Sequence, residues 1–190
     1  MVHKPVLLKE VLEYLNPQPG QKFIDATING GGHGLAIAEK IKGEKALRQA
    51  QGRLLGIEWD EEIFKSLKFK VEQPEFKDSI VLINDSYANL KNIAKENGFE
   101  EADGVLFDLG ISSWHLESRR GFSFQKDEIL DMRFSLDVKV SALEIVNTWP
   151  AEELEKIIKE YGEESFARVI AEKIAEERKK GIIKTTGQLV

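Results

Sequence analysis

Residues 23–34 read FIDATINGGGHG, and this stretch decides the fold. An apolar run ends in Asp25, and four glycines in five positions then surround His33. The apolar residues of segment 35–41 that follows have helical spacing. This order predicts a strand, a loop with almost no side chains, and the start of a helix. Because backbone N–H groups and the positive helix end can approach a ligand closely in such a loop, the stretch indicates a small, nucleoside-like cofactor.

The glycine-rich loop has two competing explanations. Its glycines are adjacent, whereas the dinucleotide fingerprint spaces them as G-x-G-x-x-G, so a nucleotide-linked oxidoreductase is disfavoured. A tight strand-to-helix turn that binds no ligand is the alternative that the local sequence leaves open.

Composition bounds the class of protein. The chain has 190 residues, 42% of them hydrophobic, which is enough for one full domain or for one domain plus a small second one. Its net charge of −6 means that any contact with nucleic acid must come from local basic patches. The sequence has no cysteine, which excludes disulfides and thiol nucleophiles, and its isolated histidines predict no metal site. Without an apolar leader or a membrane-spanning apolar run, we expect a cytoplasmic protein with no membrane contact.

Short apolar runs alternate with helical stretches over the first 109 residues. The predicted strands are 22–26, 53–58, 80–84 and 104–109. The predicted helices are 5–15, 34–41, 61–71 and 88–97. This alternation is typical of an α/β fold with a parallel sheet and crossover helices. Ligands of such sheets bind beyond the carboxyl ends of the strands, where the sequence places Asp25, Glu58, Asp85 and Asp108.

The pattern changes after Leu109. Residues 110–134 are rich in Ser, Gly, Arg and Asp and are typical of an irregular functional loop. Residues 141–180 favour helices, with one starting near Pro150, a second running from about Glu164, and a stop at Gly181. The last residues, 185–190, predict the opening of a further helix. Four strands are few for this class of sheet, so we expect the chain to be a fragment.

Several side chains at the predicted strand ends suit a nucleoside. Glu58 could accept both hydroxyls of a ribose, with Asp60 as a rival for that role. Tyr87 could stack on an adenine, and Asp85 could contact the edge of the base. Asp108, followed by Gly and two serines, suits a group that meets both cofactor and substrate. Each also fits a structural explanation: a solvated strand-end acid, ordinary aromatic packing or a turn cap.

Basic and aromatic residues cluster in segment 119–126 and recur at Arg133. Arginine planes and phenylalanine rings are common partners of unstacked RNA bases. The alternative is a charge-balanced surface loop, because acids such as Asp127 and Asp131 lie close by. A second basic patch, 178–180 with Lys184, could contact phosphates or could be a charged helix end.

Taken together, these stretches resemble the RsmH (MraW) family of S-adenosylmethionine-dependent methyltransferases. The resemblance spans nearly the whole chain in the right order, and several of its motifs are long. The matching motifs are His3-x-Pro5-Val6-Leu7-Leu8, Asp25-x-Thr27, Gly31-Gly32-His33, Asp108-Leu109-Gly110-x-Ser112-Ser113, Arg120-Gly121-Phe122-Ser123-Phe124, Leu130-Asp131-Met132-Arg133 and Tyr161-Gly162-Glu163-Glu164-x-Phe166-Ala167.

The resemblance implies a Rossmann-like class I methyltransferase domain with a helical domain inserted after the fourth strand. It implies two domains in this chain: residues 1–113, the amino-terminal part of the domain that binds S-adenosylmethionine, and residues 114–190, a substrate loop with the helical domain. The implied substrate is the exocyclic N4 of a cytidine in 16S ribosomal RNA of the small ribosomal subunit. The family continues well past this length, and the missing part would supply the remaining strands.

The motifs also carry over a set of cofactor-binding residues. The resemblance places three of them on the methionine side, Glu58 at the ribose and Tyr87 near the adenine, and completes the set with two more. The implied residues are Gly31, Gly32, His33, Glu58, Tyr87, Asp108 and His115.

The chain departs from the family pattern at four places. Ala26 stands where Gly is usual, and Gly34 where Ser is usual. Glu58 replaces the commoner Asp, which keeps the carboxylate but lengthens its reach. Trp114-His115 stands where Pro-Gln is usual.

A methyl transfer to a cytosine amine needs an acceptor for the amine proton. We expect Asp108 in that role, with Asp131 in reserve, and we expect Arg120, Phe122 and Phe124 to hold the unstacked base. Two alternatives remain: a methyltransferase acting on a small molecule or protein, and a module that binds cofactor or RNA without turnover. The sequence leaves the oligomeric state open, a homodimer included.

Overall fold

The computed structural model of the protein describes residues 5–42 and 52–190. The chain divides into two compact units, Met1–Ser112 and Ser113–Val190. His3 of the first sequence motif lies outside the described residues.

The first unit is built on a parallel sheet. Its strands are β1 (Lys22–Asp25), β2 (Arg53–Glu58), β3 (Ile80–Asn84) and β4 (Gly104–Leu106). They lie side by side in the order β3-β2-β1-β4, and all three pairings are parallel. The carboxyl ends of the strands therefore meet at one edge, as the sequence predicts for an α/β fold.

Helices cover both faces of this sheet. The first unit contains α1 (Leu8–Leu15), α2 (Gly32–Ile41), α3 (Glu61–Val71) and α4 (Leu90–Asn97), with a short 3-10 turn at Tyr87–Asn89. On one face, Phe23 and Leu54 pack with residues of α2 and α3. On the other, Ile24 and Leu55 pack with Ile93 of α4. Successive residues of a strand point to opposite faces of the sheet. Since successive residues of β1 and β2 are apolar, these two strands are buried on both faces.

Most predicted boundaries of the first unit are confirmed, and five are wrong. The β1 strand ends at Asp25, one residue before the predicted end. The α1 helix begins at Leu8 instead of residue 5, because Leu7 adopts the left-handed conformation with φ of 54°. The α2 helix begins two residues earlier than predicted, so Gly32 and His33 belong to its first turn. The predicted helix 88–97 starts instead as the 3-10 turn and becomes α-helical only at Leu90.

The fifth wrong boundary is the end of β4. The strand ends at Leu106, three residues before the predicted end. The amide of Asp108 bonds the side chain of Thr27 instead of a strand carbonyl, and the backbone at Gly110 has φ of +140°. The chain therefore leaves the sheet after Leu106 and continues as an irregular segment.

The second unit is helical. It contains α5 (Ser113–Glu117), α6 (Ala142–Thr148), α7 (Ala151–Gly162), α8 (Ala167–Glu177) and α9 (Thr186–Leu189). Thr185 caps α9 through a capping box with Gln188, which confirms the predicted opening of a helix there. Leu130, Val146 and Ile183 form the core of this unit. The segment 110–134, predicted as irregular throughout, includes α5.

Candidate functional site

The glycine loop is shaped by a backbone that tolerates no side chains at its centre. Gly31 has φ of +87°, a conformation that favours glycine, and an added Cβ would lie 2.7 Å from Cδ1 of Leu67. At Gly32 an added Cβ would lie 2.9 Å from Cβ of Pro5, so the proline ring rests directly on this residue. The turn thus brings bare backbone to the start of α2, the kind of surface that binds anionic or polar ligand groups.

His33 joins this turn to two other segments. Its Nε2 lies 2.8 Å from the carbonyl oxygen of Val6. Because a carbonyl only accepts, we assign the ring proton to Nε2, which donates it to Val6. The Nδ1 atom on the other side of the buried ring lies 3.6 Å from Oδ2 of Asp108.

Asp25 ends β1 and is almost completely buried, at 1% exposure. Its Oδ1 accepts a hydrogen bond from the amide of Thr27 at 3.2 Å, and its carboxylate also accepts from the backbone of Gly34. Burial raises the pKa of this carboxyl to about 7, and the negative charges of Asp108 and Glu58 push it in the same direction. Sequence reasoning counted Asp25 among the strand-end acids but gave it no role, although its position at the end of the strand that leads into the glycine loop was the available signal.

Glu58 ends β2, the strand beside β1, and it too is buried. Its Oε1 accepts a hydrogen bond from the amide of Asp60 at 2.8 Å. Burial raises the pKa of Glu58 to about 7, against the lowering effect of that hydrogen bond, and the charge of Asp60 raises it further. Glu58 thus lies at the strand end where the sequence predicts a ribose-binding carboxylate, and that role stays a prediction.

The two rival acids make local structural bonds. Asp60 is the N-cap of α3, where its Oδ1 accepts from the amides of Glu62 and Ile63. Asp85 accepts from the amide of Ser86 and from the side chain of Asn89 at 2.8 Å, which fixes the 3-10 turn. These contacts favour Glu58 over Asp60 for the ribose.

Tyr87 opens the 3-10 turn after β3 and is half-exposed. Its ring meets the ring of Phe107 edge-on, with centroids 5.9 Å apart. Phe107 lies just beyond the end of β4 and is also half-exposed. An exposed aromatic pair of this kind offers a face on which a base could stack.

The structure thus brings six of the seven predicted cofactor-binding residues into the first unit. His115 lies in the second unit, on α5, where it is buried. Its ring packs against those of Phe122 and Phe134, with centroids 5.2 and 4.7 Å away. The role of His115 toward a cofactor stays a prediction.

The residues expected to hold an unstacked base have different environments. Phe122 is buried in the aromatic cluster with His115, whereas Phe124 is 78% exposed. Arg120 donates through Nη1 to the carbonyl oxygen of Arg133 at 3.1 Å. Phe124 therefore remains as the ring available for stacking.

Asp131, the reserve candidate for the proton acceptor, is bound in an ion pair. Its two oxygens accept from Nε of Arg133 at 2.6 Å and from Nη2 at 3.0 Å. The hydrogen bond from Arg133 lowers the pKa of this carboxyl. A carboxylate held this way is a poor acceptor for a further proton.

The second basic patch also serves the fold. Arg178 donates through Nη1 to the carbonyl oxygens of Val146 and Trp149, at 3.0 and 2.7 Å, at the end of α6. Lys180 pairs with Glu177 at 2.8 Å. Arg178 is thus a helix cap that sequence reasoning missed, because its acceptors lie about thirty residues away.

Residues 5–42 and 52–190 contain no group of three or more His, Asp or Glu side chains placed to hold a metal ion. None of the helices that the structure describes is long and apolar enough to cross a membrane.

The chain is similar to curated bacterial proteins named Ribosomal RNA small subunit methyltransferase H. The one from Dictyoglomus thermophilum is 44% identical over 180 residues, which cover 94% of this chain and 58% of that protein. Those from Brevibacillus brevis and Sulfurihydrogenibium sp. are 40% and 41% identical, and the matches cover 99% and 98% of this chain but 57% and 60% of theirs. The chain therefore spans a little under two thirds of the length of these relatives.

A family model gives the same assignment. The model of the MraW methylase family matches residues 1–190, the whole chain. The parallel sheet with helices on both faces agrees with the Rossmann-like fold that the resemblance implies, and the second unit supplies the expected helices. The chain belongs to the MraW methylase family.

Proposed function

We propose that the protein transfers a methyl group from S-adenosylmethionine to the exocyclic N4 of a cytidine in 16S ribosomal RNA of the small ribosomal subunit. The observation that carries the proposal is the meeting of the glycine turn, Glu58 and Asp108 at one edge of the sheet. The substrate follows from the relatives, whose names specify the RNA of the small ribosomal subunit.

The residues at this edge fit S-adenosylmethionine. Gly31 and Gly32 carry no side chains, because an added Cβ there would collide with Leu67 or Pro5. Their backbone N–H groups at the start of α2 would meet the methionine part. Glu58 would accept the ribose hydroxyls, and Tyr87 would stack on the adenine. His33 and Asp108 would lie on the methionine side. When bound, the cofactor supplies an electrophilic methyl group on a sulfonium.

The protein's own residues would align the amine and remove its proton. Asp108 is our candidate for the acceptor, because its carboxylate is 37% exposed and lies beside the turn. Asp131, by contrast, is occupied by Arg133. Phe124 would stack on the cytosine once it has left the RNA helix.

The test is methyl transfer from labelled S-adenosylmethionine into small-subunit RNA, with bulk protein as the competing acceptor. We expect label in RNA, and we expect Asp108→Ala to abolish it, while exposed Asp78 changed to Ala leaves it intact. Label in protein instead would support the alternative substrate. Binding of S-adenosylhomocysteine without any transfer would support the binding-module alternative.

We also propose a location and an oligomeric state for the protein. Because the proposed substrate is ribosomal RNA, we place the protein in the cytoplasm. The homodimer stays a prediction, which sedimentation of the purified protein tests.

A further inference from the structure

The paired strands β1 and β4 have an unusual feature just beyond their carboxyl ends. β1 has β2 on one side and β4 on the other, so the chain order reverses between β1 and β4. Open α/β sheets bind their ligands at this kind of switch point, just beyond the strand ends. The regular pairing of the two strands ends at Asp25 and Leu106, and the amide of Ala26 still donates to Leu106 at 2.9 Å.

Beyond this point a side chain replaces the strand backbone. The amide of Asp108 donates to Oγ1 of Thr27 at 2.7 Å. In a continuing parallel ladder a carbonyl of β1 would accept this hydrogen bond. Because β1 turns into the glycine loop here, the Thr27 hydroxyl accepts it instead and bridges the two strand ends.

Thr27 itself is fixed at two other points. Its amide donates to Oδ1 of Asp25 at 3.2 Å, and its carbonyl oxygen accepts from the side chain of Asn29 at 3.0 Å. Asn29 has φ of 48°, so the turn is held in a conformation that few residues adopt. The hydroxyl that receives the Asp108 amide therefore has a defined position.

Asp108, in contrast, lies in a poorly packed segment. Its neighbours Phe107 and Leu109 are 45% and 67% exposed, and an added Cβ at Gly110 would have nothing within 4 Å. Packing of these residues does little to fix the backbone of Asp108. The bond to Thr27 is therefore a main constraint on where the Asp108 carboxylate lies relative to His33.

We propose that Thr27 is a positioning residue, whose hydroxyl bonds the Asp108 amide and so orients the Asp108 carboxylate at the cofactor crevice. This inference rests on the proposed function, in which Asp108 faces the methyl donor. Thr27 itself touches neither reactant in this scheme. It acts through Asp108 alone.

The test compares Thr27→Val, which keeps the shape but removes the acceptor, with Thr27→Ser, which keeps the hydroxyl. We expect Thr27→Val to lower kcat for methyl transfer by about tenfold, the effect of losing one hydrogen bond, with a smaller effect on KM for RNA. Thr27→Ser should stay close to the wild type. Thr148→Val is the matched control, because the Thr148 hydroxyl donates only within its own helix.

Two measurements separate positioning from a general loss of stability. In Thr27→Val the amide hydrogen of Asp108 should exchange much faster, while the denaturation midpoint changes little. In the Asp108→Ala background, Thr27→Val should no longer change the affinity for S-adenosylhomocysteine, because the two residues act as one unit. If Thr27→Val does not fold, Thr27→Ala is compared with Thr27→Ser in its place.

Several results would overturn the inference. The first is a Thr27→Val enzyme with wild-type kcat, and the second is a Thr27→Ser enzyme as slow as Thr27→Val. The third is a change in affinity for S-adenosylhomocysteine that Thr27→Val still causes in full in the Asp108→Ala background. In the wild type, an Asp108 amide that exchanges as fast as that of exposed Leu109 would also refute it. A wild type that neither binds the cofactor nor transfers methyl groups would instead refute the proposed function.

Discussion

Asp25 and Glu58 end neighbouring parallel strands, and the negative charge of Glu58 disfavours ionisation of Asp25. Both carboxyls are buried, and this burial raises the pKa of each to about 7 from ordinary values of 3.8 and 4.5. The fold thus holds two acids in a state that titrates near neutral pH. This has a direct effect on stability.

The first prediction is that stability falls as pH rises from 5 to 8. The pKa values of the two carboxyls are 3.8 and 4.5 in the unfolded state and about 7 in the folded state. At a pH between these values, the folded state binds more protons than the unfolded state. The contribution of these protons to the free energy of unfolding is therefore fully present when the pH is below the unfolded pKa values. It is lost as the pH rises through about 7. The loss should be on the order of 2 kcal/mol for Asp25, measured by urea denaturation at several pH values.

Asp25→Asn is the control for that prediction, because it removes one of the two titrating groups but can still accept from Thr27. Its stability should depend less on pH over the same interval. Acids whose pKa is lowered, such as Asp131 and Glu177, titrate at lower pH and do not contribute there. An unchanged slope in Asp25→Asn would contradict the assignment.

The second prediction separates Glu58 from Asp60. Glu58→Gln should weaken binding of S-adenosylhomocysteine by about 2 kcal/mol, the value of hydrogen bonds to a charged acceptor, in calorimetry. Asp60→Ala should instead lower the free energy of unfolding by about 1 kcal/mol, because it removes the N-cap of α3, and should leave the affinity close to wild type. The reverse pattern would assign the ribose to Asp60.

The third prediction concerns the aromatic pair after β3 and β4. Tyr87→Ala should lower the affinity for S-adenosylhomocysteine by about tenfold, in line with the energy of one base–aromatic stack, whereas Tyr87→Phe should keep it. Tyr14→Ala on α1 is the control, because Tyr14 is 89% exposed and lies outside the candidate site. Equal affinities for all three variants would show that Tyr87 only packs against Phe107.

The fourth prediction tests the second basic patch. Arg178→Ala should destabilise the second unit by about 2 kcal/mol, because two carbonyls at the end of α6 lose a charged donor. Its exposed neighbour Lys179, changed to Ala, should have little effect on the denaturation midpoint. If both variants instead weaken RNA binding and its salt dependence equally, the patch contacts phosphates.

Local patterns in the sequence were sufficient for much of the first unit. The bounds of β2, β3 and α3 follow from runs of apolar residues and from helical spacing, which lie within the elements they define. The N-cap role of Asp60 was not foreseen. The edge where Glu58 and Asp108 meet followed from the parallel order, because parallel strands share their carboxyl ends.

Contacts between distant residues account for what the sequence did not reveal. The end of β4 depends on the hydroxyl of Thr27, 81 residues earlier. The aromatic residues near Arg120 suggested a base-binding surface, but Phe122 is buried against His115. The role of Arg178 depends on carbonyls of α6. Local composition contains no information on such partners.

The contact between Pro5 and Gly32 has a practical consequence for how the protein is handled. An affinity tag or fusion partner placed before Met1 would be joined only about four residues from the proline ring that contacts Gly32. Such an attachment could change measured affinities without any change in the site's own residues. Purification handles are therefore best removed by protease before calorimetry.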